Sequence, residues 1–143
     1  LMRAKSLTEF KEAMKIRALV SQNYTYADRA GNIYHLWNGS MPLLPHAQGG
    51  DAATPIARTG DAWTRLIPFY DLPQWLNPRG GYLHNENDSP HFSNTRGPVN
   101  LVNKYPNIEP PSFDLRSQHA AVLIGGAQKF SLEDVFLDVV EHA

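Results

Sequence analysis

From position 23 the chain reads Asn23-Tyr24-Thr25-Tyr26-Ala27, then Asp28-Arg29-Ala30-Gly31-Asn32, then Ile33-Tyr34-His35-Leu36-Trp37. Two runs rich in aromatic and β-branched residues therefore flank a polar stretch that contains glycine. This pattern predicts a β-hairpin over residues 23–37 with a loop of about five residues. The pair Gly31-Asn32 would supply the positive-φ positions that such a loop needs.

Helices and one more strand are predicted on either side of this hairpin. Ser6-Leu7-Thr8-Glu9 has the form of a capping box, and apolar residues then recur at helical spacing, which predicts a helix over 6–19. Similar patterns predict helices near 114–124 and 131–142, and a strand near 81–86. The mixture predicts an α+β fold with antiparallel strands, flanking helices and long loops.

Two stretches rich in proline lack any periodicity, namely residues 38–62 and residues 94–112. Structureless loops of this length are uncommon inside a compact domain unless they are functional or pack on something else. Between them, residues 63–76 are dense in large apolar side chains. One interpretation of that aromatic region is a surface that binds a partner.

Composition excludes several classes of protein. The 143 residues hold 13 basic and 14 acidic side chains, a net charge of −1, so there is no basic field to bind a nucleic acid. No apolar run approaches the roughly 18 residues that a membrane span needs. The absence of cysteine rules out disulfides, zinc–thiolate sites and thiol nucleophiles.

The polar cluster His84-Asn85-Glu86-Asn87-Asp88 is the first candidate for chemistry. Its spacing does not fit a zinc deaminase, a zincin helix or an EF-hand calcium loop. Two interpretations remain open from the residues alone. The cluster is either an Asx-rich turn at a strand end, or it presents an asparagine amide that donates to a developing oxyanion without titrating.

Other polar residues give weaker signals. Arg116 lies near a predicted helix start, where a cation opposes the helix dipole, so it needs an anion or carbonyl partner or is an ordinary surface arginine. No serine-hydrolase elbow or phosphate-binding loop is present. Five histidines are isolated in the sequence and are interpreted as solvated or hydrogen-bonded residues: His35, His46, His91, His119 and His142.

An ordered set of motifs covers nearly the whole chain: Arg3-Ala4-Lys5-Ser6 with Glu9-Phe10, Asn23 to Asp28, Gly31-Asn32-Ile33-Tyr34, Asn38-Gly39 with Pro42, Trp63, Ile67 to Pro73, Asn77-Pro78 with Gly80-Gly81-Tyr82, Asn85 to Pro90, and Arg116. In this order and spacing the chain resembles the β-chain of the penicillin acylase (penicillin amidase) family. That family includes acyl-homoserine-lactone acylases and aculeacin-type acylases.

The resemblance implies an N-terminal-nucleophile hydrolase with the αββα fold. In such enzymes a precursor cleaves itself and exposes a serine at the start of the β-chain. The serine attacks an amide with its own α-amino group as base, and an asparagine side chain and a backbone amide hold the oxyanion. The resemblance further implies a small-molecule N-acyl amide substrate and a periplasmic or secreted location in a bacterium.

Four residues receive roles from the resemblance. Asn87 matches the oxyanion asparagine, and Asn85 is the less constant member of the same motif. Arg116 matches the active-site arginine that orients the asparagine and the nucleophile. Gln22 falls near a position that lines the acyl pocket, where a polar residue is a departure from penicillin acylases. No cofactor is implied, and the family's calcium draws its ligands largely from outside this segment, with no match within it.

The nucleophile itself has no match, because Leu1 is not Ser, Thr or Cys. We therefore expect residues 1–143 to be a single fragment of an acylase β-chain. Its partners would be the α-chain and the remainder of the β-chain from the same precursor, and the isolated chain is expected to be inactive. The alternative is a free-standing, non-catalytic binding module that uses the aromatic region 63–76.

Overall fold

A small antiparallel sheet with a helix before it and a helix after it forms the framework. The computed structural model describes residues 3–19, 21–43, 65–98, 111–125 and 129–134. Its elements are helix α1 (Leu7–Met14), strands β1 (Ser21–Ala27), β2 (Ile33–Gly39) and β3 (Gln74–Leu76), helix α2 (Leu115–Gly125), and 3₁₀ turns at Phe69–Asp71 and Pro90–Phe92. The strand order is β1-β2-β3, an α+β arrangement of the predicted class.

The hairpin lies where the sequence predicts it, and each outer strand end extends two residues further. Tyr24 pairs with Leu36 and Ala27 with Ile33 in the antiparallel register. Asp28 closes the turn, since its carboxylate accepts the backbone N–H groups of Ala30 and Asn32 at 2.9 and 3.0 Å. Hydrogen bonds from Asn32 stabilise the charged form and lower the pKa of Asp28. Gly31 takes the positive φ of 84° as predicted, but Asn32 does not have a positive φ.

Both faces of strand β2 are covered. Successive side chains of a strand point to opposite sides, so alternate residues of β2 contact different parts of the chain. On one face Tyr34 and Leu36 join the apolar core with Phe10 and Met14 of α1. On the other face His35 lies beside the Trp75 ring and 3.3 Å from the hydroxyl of Ser93. The sheet therefore separates α1 from the segment 82–94, which carries the candidate site.

Helix α1 begins as predicted but is shorter than the predicted range 6–19. Ser6 caps it by accepting the N–H of Glu9 at 3.2 Å. The α-helix ends at Met14, where Arg17 adopts a left-handed φ of 52° and its N–H donates to the Met14 carbonyl at 3.1 Å. The Asn38 amide of β2 donates to the same carbonyl at 2.9 Å, and Ala18, inside the predicted range, is exposed.

The predicted strand near 81–86 is wrong, and β3 at Gln74–Leu76 lies where the sequence analysis has no strand. Residues 82–85 are irregular: the backbone N–H of His84 donates to the carbonyl of Ser93 at 2.9 Å, and a side chain supplies further contacts. The buried Asn94 amide donates to the carbonyls of Arg79 and Tyr82, at 2.8 and 3.0 Å. A side chain thus makes the contacts that a neighbouring strand would make.

The remaining predicted elements are described in part. Helix α2 matches the predicted range 114–124 closely, with Asp114 accepting the N–H of Ser117 at 2.8 Å. In the predicted range 131–142, residue 131 is not helical, residues 132–134 are helical, and residues 135–142 lie outside the described residues. Of the predicted loop 38–62, residues 44–62 also lie outside them. Among described residues no helix is long and apolar enough to cross a membrane.

The described part of the aromatic region 63–76 contributes to the core. Ile67 and Leu72 are buried in it, and Phe69 and Trp75 pack against it. Tyr70 is 65% exposed and lies under the ammonium group of Lys15. Trp63 lies outside the described residues. The side chains that suggested a binding surface are thus divided between the core and the solvent.

Candidate active site

Asn87 lies at the exposed tip of the loop 84–89, with a left-handed φ of 72°. Asparagine tolerates this conformation better than most residues with a side chain. The turn is of the Asx type, because the side-chain oxygen of Asn85 accepts the backbone N–H of Asn87 at 3.1 Å. The local sequence Asn85-x-Asn87 therefore builds its own reversal and directs the Asn87 side chain outward.

Arg116 reaches this loop from the first turn of α2. Its Nη2 donates to the carbonyl oxygen of Glu86, which is one of the alternatives that the sequence left open for a cation at a helix start. Its Nη1 lies 3.4 Å from Oδ1 of Asn87. An amide whose oxygen faces a guanidinium directs its NH₂ group the other way. Among the described residues that NH₂ group has no hydrogen-bond partner.

Asp88 connects the loop to two other parts of the chain. Its carboxylate accepts the hydroxyl of Ser117 at 2.6 Å and the amide of Asn85 at 3.1 Å. Its backbone carbonyl accepts the amides of Asn23 and Asn85, both at 3.2 Å. The loop is therefore tied to α2 through Ser117 and to β1 through Asn23.

The start of α2 is rigidly capped at this contact. Ser117 is fully buried, and its N–H donates to Asp114. That hydrogen bond, with a smaller contribution from the nearby Arg116 charge, lowers the pKa of Asp114. Asp114 is therefore an anion at neutral pH. Its negative charge offsets the unfavourable interaction between the Arg116 cation and the helix N-terminus.

Buried histidines lie behind the loop. The His84 ring contacts the Glu86 carboxylate through Nδ1 at 2.8 Å, and the backbone N–H of His84 donates to the carbonyl of Ser93 at 2.9 Å. His35 is fully buried, and burial together with the nearby His84 lowers its pKa to about 4. His35 is therefore neutral at pH 7. In the described segments no three histidine or acidic side chains converge in the manner of metal ligands.

Gln22 is the one predicted site residue that the structure does not bring to the loop. It is exposed and pairs with Asn38 in the register of β1 and β2. Asn38 faces α1, because its amide donates to Met14. Asn23, the next residue along the strand, faces the loop and donates to Asp88. Gln22 therefore lies on the opposite face of the sheet, and its place in an acyl pocket stays a prediction.

Comparison with known proteins agrees with the motif pattern. A family model described as penicillin amidase matches residues 1–137. The chain belongs to the penicillin amidase family. It is also 37% identical over 90 residues to penicillin G acylase of Escherichia coli, an alignment that covers 62% of this chain and 10% of that protein. The chain thus matches about a tenth of the length of this curated relative.

In this member of the penicillin amidase family, sequence reasoning assigned no role to Asp88, Ser117 or Asn23. Asn23 and Asp88 stand inside the motifs that carry the resemblance, but their contact joins residues 65 positions apart. Ser117 follows Arg116 directly, and only the folded structure shows that its hydroxyl reaches Asp88. A serine within one position of a candidate site residue is a weak signal on its own.

Proposed function

We propose that this chain is part of an acylase that hydrolyses amide bonds, in which Asn87 donates to the oxyanion and Arg116 orients Asn87. Family membership supports the reaction class. The observation that carries the assignment is the state of the Asn87 amide, whose oxygen faces Arg116 while its NH₂ group, at an exposed loop tip, has no partner among the described residues. A substrate oxygen is the partner that such a donor lacks.

The chemistry follows from the polarity of the reaction. When a hydroxyl adds to an amide carbonyl, negative charge develops on the carbonyl oxygen, and a fixed neutral donor stabilises it without a proton transfer. A single donor of this kind contributes about 10²–10³ in kcat, or roughly 2.7–4 kcal/mol. The Arg116 guanidinium, which contacts the Asn87 oxygen, further polarises the amide toward donation.

The rest of the machinery is proposed from the family. The nucleophile is an N-terminal serine outside this chain, in an enzyme of the N-terminal-nucleophile fold formed with the α-chain and the remainder of the β-chain. The substrate is a small N-acyl amide, and the enzyme is periplasmic or secreted. Gln22 is a candidate for the acyl pocket. Both polar atoms of the Asn85 amide bond within the loop, so Asn85 contributes to substrate binding through the shape of the loop.

The test uses Asn87→Gly and Asn87→Asp in the assembled enzyme. Glycine accepts the left-handed backbone and removes the donor, whereas alanine would add strain of about 1–2 kcal/mol at this φ. Aspartate retains the size of the side chain but replaces the donor with an anion. Both variants should lower kcat by about 10²–10³ and change KM little.

The matched control is Asn77→Gly. Asn77 also has a left-handed φ, of 49°, and its side chain accepts the N–H of Ile33 at 2.9 Å, but no hydrogen bond links it to the Asn87 loop. This variant should retain the wild-type kcat. A loss confined to KM in the Asn87 variants, or an equal loss of kcat in the control, would contradict the assignment. A greater loss for Asn85→Gly than for Asn87→Gly would move the oxyanion donor to Asn85.

A further inference from the structure

Two consecutive residues of the loop contact two consecutive residues of α2. Asn87 lies against Arg116, and the residues that directly follow them, Asp88 and Ser117, are hydrogen-bonded at 2.6 Å. The second contact is the shorter one, in the range expected of a hydroxyl bound to a charged oxygen. It also ends on a fully buried serine, whereas Asn87 and Arg116 are both exposed. The exposed pair, held also by the Asx turn and by the hydrogen bond from Arg116 to the Glu86 carbonyl, thus lies next to a buried contact between the same two elements.

Asp88 has a combination of partners that suits this task. Its two carboxylate oxygens face different elements, one toward Ser117 of α2 and one toward Asn85 of its own loop. Its carbonyl is held by Asn23 of β1. Moving Asp88 would therefore disturb the loop, the helix and the strand together, and Asn87 is its immediate neighbour.

We propose that Asp88 is a positioning residue that fixes the Asn87 amide against Arg116 by tying the loop to Ser117 and Asn23. This inference rests on the proposed function, since it gives Asp88 its effect on the reaction through Asn87. Asp88 does not touch the substrate. Its contribution is the orientation of a donor whose misplacement by about 1 Å costs on the order of a hundredfold in rate.

The variants Asp88→Ala, Asp88→Asn and Ser117→Ala test the proposal in the assembled enzyme. Alanine removes both carboxylate contacts, so kcat should fall about 10- to 100-fold with KM nearly unchanged. Asparagine retains one acceptor for Asn85 and offers its NH₂ to the Ser117 oxygen, so it should restore much of the rate. Ser117→Ala removes the hydrogen bond between α2 and Asp88, so its kcat should lie between those of the wild type and of Asp88→Ala.

A double-mutant cycle with Asn87→Gly separates positioning from general damage. If Asp88 acts through Asn87, Asp88→Asn and Ser117→Ala should lower kcat less than about twofold further once Asn87 is glycine. The control Asp28→Ala removes a carboxylate that accepts four hydrogen bonds in the β1–β2 turn. It should lower the melting temperature and leave kcat unchanged.

The possible outcomes distinguish a failure of the positioning role of Asp88 from a failure of the proposed function. If Asn87→Gly has wild-type kcat, the proposed function fails. If Asn87→Gly is impaired but Ser117→Ala and both Asp88 variants have wild-type kcat, or if their losses persist in full in the Asn87→Gly background, the positioning role is overturned. If Asp88→Ala does not fold, the Asp88→Asn and Ser117→Ala cycles decide the question alone.

Discussion

His35 gives the sharpest prediction about stability, because it is a fully buried titratable group at the centre of the sheet. Its ring lies between Trp75 and Ser93, with the unprotonated form favoured by burial and by the nearby His84. The perturbation is a change of pH from 7 to 5, in the wild type and in His35→Gln. Glutamine is polar but does not titrate, so only the wild type should show the pH dependence of stability that His35 contributes.

The magnitude follows from the pKa of His35, which is about 4 in the folded chain against 6.5 for a free histidine. Because the folded pKa is the lower one, the unfolded chain binds the proton first, and stability is lost as the pH falls below 6.5. The full loss, reached below pH 4, is about 3 kcal/mol at 1.36 kcal/mol per pKa unit. Between pH 7 and pH 5 the linkage removes about 2 kcal/mol.

Urea unfolding of both proteins at pH 7, 6 and 5 measures this difference. The free energy of unfolding of the wild type should fall by about 2 kcal/mol more than that of His35→Gln over this interval. His91, whose pKa is also lowered by burial, contributes equally to both proteins and cancels. Equal slopes against pH in the two proteins would show that His35 is not buried as a neutral ring.

Three further outcomes follow from particular contacts. Ser6→Ala removes the cap of α1 and should cost about 1 kcal/mol of stability, measured by urea unfolding against the wild type. Asn38→Ala removes the amide that donates to the Met14 carbonyl, which keeps the N–H of Arg17, and should cost about 0.5–1.5 kcal/mol in the same assay. The purified 143-residue chain should hydrolyse no N-acyl amide, since the proposed nucleophile is an N-terminal serine outside it; turnover abolished by a substitution within the chain would refute this.

Local signals in the sequence were sufficient where the stabilising contacts are local. The hairpin follows from two β-forming runs around Gly31-Asn32, and the start of α1 from a serine that caps its own helix. The end of α1 did not follow, because it lies at a left-handed Arg17 and against Asn38, which is 24 residues from the Met14 carbonyl that it binds. The wrong strand at 81–86 has a similar cause, since the Asn94 side chain takes the place of a neighbouring strand.

The candidate site also combines a local feature, which the sequence indicates, with contacts between distant residues, which it does not. Its Asx turn is a local feature, so Asn85-x-Asn87 was recognisable as a turn from the residues alone. Whether that turn presents a donor depends on Arg116, which is 29 residues further along the chain. The tie beneath it, from Asp88 to Ser117, spans the same separation and has no sequence pattern of its own. Contacts between residues this far apart in the sequence form only when the chain folds.

The most direct test of the central claim is a crystal structure of the assembled enzyme with a boronate or phosphonate that mimics the tetrahedral intermediate. If Asn87 is the oxyanion donor, its Nδ2 lies about 2.7–3.1 Å from the oxygen that stands for the oxyanion. The oxygen of the same amide should remain on the Arg116 side. An analogue whose oxyanion is held by other donors, with the Asn87 amide turned away from it, would contradict the account.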